Sequence, residues 1–262
     1  MHQFIYNGRS SADFNLVLSG EDTWKKPMPD VERMEIPGRN GDLILSNHRY
    51  GNVSVTYHVG IKRNFDTDFT AFMNFLLREP GYHRLEDSYH PEYYRMAVLD
   101  KEISPKMGFQ NYSGSFDLAF SCMPQQYLKS GERLQVLTGS GTVFNPTAFD
   151  AKPLLRIYGA GRLTIGDDQV TVTENDSYID LDCELEDAFR DTENLNSCLE
   201  LESNDFPVLP PGSTSITFGS GITRVELVPR WWCLGNHFYI LRGKHSSGIT
   251  ALADCPRLRS AW

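Results

Sequence analysis

Four groups able to ligate a metal fall within one short stretch: His83, Asp87, His90 and Glu92. A zinc centre needs such ligands converging at about 2 Å. Here they are spaced as loop residues and no second cluster completes a set, so no metal is expected. Carboxylates gather again at Glu184, Glu186, Asp187, Asp191 and Glu193. Glycoside hydrolysis needs two carboxyls facing each other across a sugar. Nothing in this run fixes such a pair, and a solvated acidic edge accounts for it. Gly38-Arg39-Asn40-Gly41 lacks the Gly-Lys-Ser/Thr ending of a phosphate-binding loop. No serine stands in a Gly-x-Ser-x-Gly elbow. The residues therefore point to no catalytic group and no cofactor, and the chain reads as something other than an enzyme.

What remains is recognition chemistry. Arg39, between Gly38 and Gly41, offers a planar donor fork suited to a carboxylate across an interface. Tyr82, Tyr89, Tyr93 and Tyr94 crowd one segment. Tyrosine joins a large apolar body to a polar tip and is enriched at interfaces, and it packs equally well on sheet edges. Trp231 and Trp232 are adjacent. Such a pair can stack on a sugar, or it can send one ring into a core and the other toward a neighbour, because successive strand residues face opposite ways.

The elements that carry these groups are mostly strands. Residues 53–59 and 113–120 alternate apolar and polar at period two. Short strands follow at 154–158, 161–165 and 169–173, punctuated by Gly159, Gly161 and Gly166-Asp167-Asp168. A Pro/Gly turn at 207–212, a strand at 216–218, a Gly219-Ser220-Gly221 hairpin turn and a last strand from Val225 to the tryptophans form the end of a β-sandwich. One helix is expected, with Phe69, Phe72, Met73 and Leu76 as its apolar stripe. Asp66, Thr67 or Asp68 would cap it and Pro80-Gly81 would end it. A second helical turn is expected near Leu185–Phe189. A boundary near Gly131 divides the chain into a first domain over 1–130, a second over 131–232, and a compositionally distinct extension over 233–262.

Composition narrows the function further. The net charge of -9 and the absence of any basic run argue against nucleic acid as a partner. No apolar stretch approaches the roughly 20 residues that span a bilayer. The first residues, Met1 to Gly8, do not form a signal peptide, so folding in a cytoplasm is expected. Five cysteines, Cys122, Cys183, Cys198, Cys233 and Cys255, lie in no paired pattern and read as reduced thiols.

The order of several segments resembles the distal tail proteins of long-tailed, non-contractile phages. The segments are Phe4-Ile5-Tyr6-Asn7-Gly8 with Ser11-Ala12-Asp13-Phe14, then Ile36-Pro37-Gly38-Arg39-Asn40-Gly41-Asp42-Leu43, then Pro80 to Asp87. Phe116 to Pro124 with Gly131-Glu132, Asn145-Pro146-Thr147, Pro153 to Gly159 and Pro229-Arg230-Trp231-Trp232 complete the set. The resemblance covers nearly all of residues 1–232 and is silent on 233–262. It implies a mainly β protein, with an N-terminal β-barrel or sandwich carrying one helix and a C-terminal galectin-like β-sandwich. It implies a homohexameric ring at the distal end of the virion tail, made in the host cytoplasm. That ring would join the tail tube protein to the tail-tip or tail-associated protein and present receptor-binding or accessory proteins. Arg39, Tyr82, Tyr89, Tyr93, Tyr94, Trp231 and Trp232 are the expected interface residues. The alternative is a carbohydrate-binding module aiding host adsorption.

Overall fold

A computed structural model describes residues 2–235, apart from 24, 109–111, 175–176 and 204. Cys255 and the extension beyond Gly235 lie outside the described residues. The protein is mainly β, and its N-terminal sheet curls into a half-barrel. In that sheet Arg9–Ser10, Phe4–Tyr6, His83–Asp87, Tyr93–Leu99, Gly114–Cys122, Val53–Ile61 and Leu16–Asp22 lie side by side, each pair antiparallel. The alternation read at 53–59 and 113–120 sets the two faces of the central strands. Val53, Val55, Tyr57, Val59, Phe116, Leu118 and Phe120 are buried on one side. On the other, His58 and Asp117 are cross-strand partners that pair through Nδ1 and Oδ1 at 2.5 Å.

The helix Phe65–Leu76 covers the apolar side with Phe65, Phe72 and Leu76, supported by Phe69 and Met73. It starts earlier than its acidic residues suggested. Asn64, in the left-handed region at φ 53°, is the N-cap and makes no side-chain cap bond, and Asp66 and Asp68 lie in the first turn. The expected cap at 66–68 is thus replaced by an anchor. Phe65 is 1% exposed and sits against Gly114, where a Cβ would come within 2.5 Å of its ring. Burying a phenylalanine contributes about 1.5–3 kcal/mol, against about 1 kcal/mol for a cap, so the anchor decides the start.

The C-terminal half is a β-sandwich. One sheet orders Gln135–Leu137, Arg224–Val228, Leu154–Tyr158, Tyr178–Asp182, Asp187–Arg190 and Glu193–Asn194. The other orders Gly141–Asn145, Gly212–Phe218, Gly161–Ile165, Asp168–Val172 and Leu199–Leu201. Leu155, Ile157, Ile179 and Leu227 of the first meet Leu163, Ile165, Val170 and Ile216 of the second in one core.

Two turns differ from the sequence reading. Gly219-Ser220-Gly221 is a corner, not a hairpin, because Gly212–Phe218 and Arg224–Val228 belong to different sheets. Glycine is required there. A Cβ on Gly221 would lie 1.9 Å from the Ala160 carbonyl oxygen, and one on Gly161 would lie 2.2 Å from that of Ser220. Residues 183–186 form a turn and Asp187–Arg190 a strand, where a helical turn was expected. The Asp182 carboxylate accepts from the backbone N–H groups of Glu184 and Leu185 and closes that turn.

Candidate assembly surfaces

A hairpin arm, Pro29–Met34 paired with Leu43–Tyr50, forms a two-stranded sheet of its own. Gly38 at φ 80° and Gly41 at φ 84° turn its tip, with Arg39 N–H donating to the Ile36 carbonyl at 3.1 Å. Arg39 is exposed there. Met34 and Leu43 are cross-strand partners on one side and Ile44 faces the other, so both sides carry apolar groups. Met28 is 73% exposed, Ile44 61% and Met34 53%. A lone two-stranded hairpin is marginally stable in water. An arm with apolar side chains on both sides and no covering layer among the described residues has the character of an assembly element.

The second surface lies where the two halves join. Gln126–Leu128 pairs with Tyr93–Leu99 of the first half on one side and with Trp232–Cys233, after the sandwich, on the other. The register sets Tyr94 opposite Tyr127 and Tyr127 opposite Trp232. One aromatic row results. Tyr94 stacks on Tyr127 at 5.2 Å, Trp232 stacks on Phe149 at 4.6 Å, and the Arg84 guanidinium lies 3.8 Å over Tyr94. Trp232 Nε1 donates to the Asp150 carbonyl at 2.8 Å, which fixes the indole plane.

Charge pairs flank the row. Arg84 donates to Glu86 at 2.6 Å and pairs with Glu132, while Lys129 pairs with Glu86 at 2.5 Å. Burial opposes the charge on Glu86, but the hydrogen bonds from Lys129 and Arg84 outweigh it, and its carboxyl is held below the ordinary range. Arg230 grips Asp182 with two bonds of 2.6 and 2.8 Å and lies 3.6 Å from Glu184. Asp182 follows the same pattern: burial works against its charge, and the Arg230 and turn hydrogen bonds prevail. Between Tyr127, Trp232 and Arg230 opens a cleft of about 240 Å³, also lined by Gln125, Asp150, Lys152 and Glu184.

The residues singled out in the sequence are dispersed. Arg39 is at the arm tip. Tyr82 accepts from Asn52 Nδ2 at 2.7 Å, and Tyr89 stacks on His2 at 4.2 Å. Tyr93 and Tyr94 stand on the strand next to the junction, and Trp231 is 3% exposed in the sandwich core while Trp232 joins the aromatic row. Only Tyr94 and Trp232 share a site. Tyr127, Lys152 and Gln125 were missed, because nothing local marks them; Arg230, just before the tryptophan pair, was the available signal. The acidic run is committed locally. Glu186 accepts from Lys152, Asp187 from Asn194 and Asn196, Asp191 from Tyr178, and Glu193 from Arg190. His83 Nε2 lies 3.1 Å from the Glu79 carbonyl and His90 Nδ1 lies 3.0 Å from Asp87. Among the described residues no group of three or more His, Cys, Asp or Glu could hold a metal. No described helix is long and apolar enough to cross a membrane.

No family model matches the chain, and no curated protein matches it in sequence. Solved structures do match in shape. The phage P2 baseplate in its activated conformation, with Ca and with Sr, gives TM-scores of 0.48 and 0.45 at 10% and 9% identity. Those alignments cover 87% and 86% of this chain and 97% and 98% of theirs, and at that similarity they carry no weight. SPP1 Dit, described as a paradigm of the hub adsorption apparatus in Gram-positive infecting phages, gives 0.66 at 16% identity. That alignment spans 87% of this chain and 98% of SPP1 Dit, so the half-barrel and the sandwich together have the fold of a Dit hub protein.

Proposed function

We propose that the chain is a structural protein of a phage tail, a distal hub in which copies of itself close into a ring. A first domain over about 1–130 builds the ring, and a second over about 131–232, a sandwich of the galectin-like kind, faces outward. The hairpin arm carries this reading. On a Dit-like fold, an arm with apolar groups on both sides and no cover among the described residues is suited to lie against the next copy. Arg39 at its tip would meet a carboxylate of that neighbour. A hexamer is the expected ring, seated between the tail tube protein and the tail-tip protein, with receptor-binding or accessory proteins docked on the sandwich. On this reading the protein belongs to the virion tail. Six copies of a chain with net charge -9 repel one another over long range, so the contacts must be apolar or locally complementary.

The test is mass in solution, by light scattering and native mass spectrometry over a concentration series, alone and with tail tube protein. A discrete ring is expected. A variant with 29–50 replaced by a short turn should stay monomeric with both cores folded. A chain that remains monomeric at high concentration and also with tail tube protein would sink the hub reading.

A further inference from the structure

The aromatic row at the junction has a use that a rigid hinge between two halves does not need. Tyr127 and Trp232, neighbours across the ladder, both line the 240 Å³ cleft. Small-molecule sites run from about 300 to 1,000 Å³, so this one suits a single small unit. Its aromatic lining is fixed before any ligand arrives. Phe149 stacks on Trp232, the Asp150 carbonyl holds the indole N–H, and Tyr94 stacks on Tyr127. Such preorganisation lowers the cost of binding.

The rest of the lining is polar and of both signs. Arg230 is bound by Asp182 through two oxygens, and Lys152 donates to Glu186 at 3.2 Å, so both cations are already matched by acids. Glu184, half exposed, and Gln125 add acceptors, and Gln125 also brings amide donors. With no unmatched positive charge, the cleft does not select an anion. With charged groups lining it, it does not select a purely apolar ligand. Flat aromatic faces beside donors and acceptors in alternation match a ring with C–H faces and hydroxyl edges. We propose that this cleft binds a neutral saccharide unit, stacked on Trp232 and Tyr127 and hydrogen-bonded by Glu184, Lys152 and Gln125.

The assignment is independent of the ring. The experiment uses the full chain and saturation-transfer NMR against glucose, galactose, N-acetylglucosamine and their β-linked disaccharides, with glucuronic acid and inorganic phosphate as charged comparators. At least one neutral sugar should saturate with a dissociation constant of about 0.1–10 mM and shift the tryptophan fluorescence. Lys152→Ala and Glu184→Ala touch exposed ion pairs that contribute little to folding. Each should weaken binding about five- to tenfold with the melting temperature unchanged. Trp232→Phe, which keeps a ring and loses the indole N–H, should bind more weakly than wild type. The proposal is overturned if no neutral sugar saturates by about 10 mM, if only the charged comparators bind, or if the Lys152 and Glu184 variants bind like wild type. Mass measurements on the same preparations keep this outcome separate from that of the hub reading.

Discussion

Asn145→Ala should be among the most destabilising single changes in the C-terminal half. Asn145 is 1% exposed. Its amide donates to the Phe149 carbonyl at 2.9 Å and to the Leu209 carbonyl at 2.8 Å. Its oxygen accepts from the Thr147 N–H at 2.9 Å and the Thr147 hydroxyl at 2.7 Å. After truncation the Leu209 carbonyl keeps the Ala151 N–H, and the Phe149 carbonyl keeps the Thr147 hydroxyl at 3.2 Å. The Thr147 N–H is left without its acceptor. One orphaned buried donor costs about 1–3 kcal/mol, and two lost bonds whose acceptors keep another partner cost about 0.5–1.5 kcal/mol each, for a total near 4 kcal/mol. At about 2–4 °C per kcal/mol for a chain of this size, the melting temperature should fall by about 8–16 °C. Scanning calorimetry measures it. Asn52→Ala is the control: its amide reaches the Tyr82 and Ser121 hydroxyls at the surface, and about 0.5 kcal/mol or less is expected. The turn at 145–150 also places Phe149 and the Asp150 carbonyl against Trp232, so the tryptophan emission of Asn145→Ala should change before global melting. A melting point within about 3 °C of wild type would refute the claim that this side chain organises the turn.

The remaining predictions are more direct. Glu86, Asp87 and Asp182 are all held below the ordinary carboxyl range in the folded chain. The unfolded chain therefore binds more protons in acid, so their contribution is full above pH about 5 and is lost as the pH falls through and below about 4. Urea titrations should show a shallower acid loss for Asp182→Asn than for wild type, and parallel curves would remove Asp182 from that account. Burial pushes the Cys122 and Cys183 thiols up to about 12. Neither should take iodoacetamide in the native state at pH 8, whereas Cys198, partly exposed, should; peptide mass mapping distinguishes them. Arg39→Ala should reduce ring assembly by solution mass while leaving the melting temperature nearly unchanged, and equal assembly would remove the tip from the contact.

Sequence periodicity carried the regular parts of the fold and little of the junction. Residues 154–158 and 161–165 were legible because each strand buries alternate side chains within a few residues of a glycine turn. The helix was legible by its stripe and illegible at its start, because Phe65 is held by Gly114, far along the chain. Gly219-Ser220-Gly221 looks like a hairpin locally, and only the sheet assignment of its flanking strands makes it a corner. The arm was seen as a glycine loop; its strands mix charged and apolar residues on both sides, which erases the period-two signal. Tyr127 and Trp232 become neighbours through a ladder joining residues 105 positions apart, and no local pattern encodes such a pairing.

The path of the chain through that ladder has a further consequence. Tyr127 pairs with Trp232, the Leu128 N–H donates to the Trp231 carbonyl at 2.8 Å, and the Arg230 N–H donates to the Gly131 carbonyl at 2.8 Å. Gly131 is pressed so closely to the returning strand that a Cβ there would lie 2.4 Å from the Trp231 nitrogen. The whole sandwich thus leaves and re-enters the first half at one zipped stem, its two ends about 5 Å apart. It is a graft held by both ends, not a pendant on a single tether. Load on it divides between two adjacent strands, which resists swivelling. Any other fold whose ends lie equally close could be spliced onto the same stem with the half-barrel left whole.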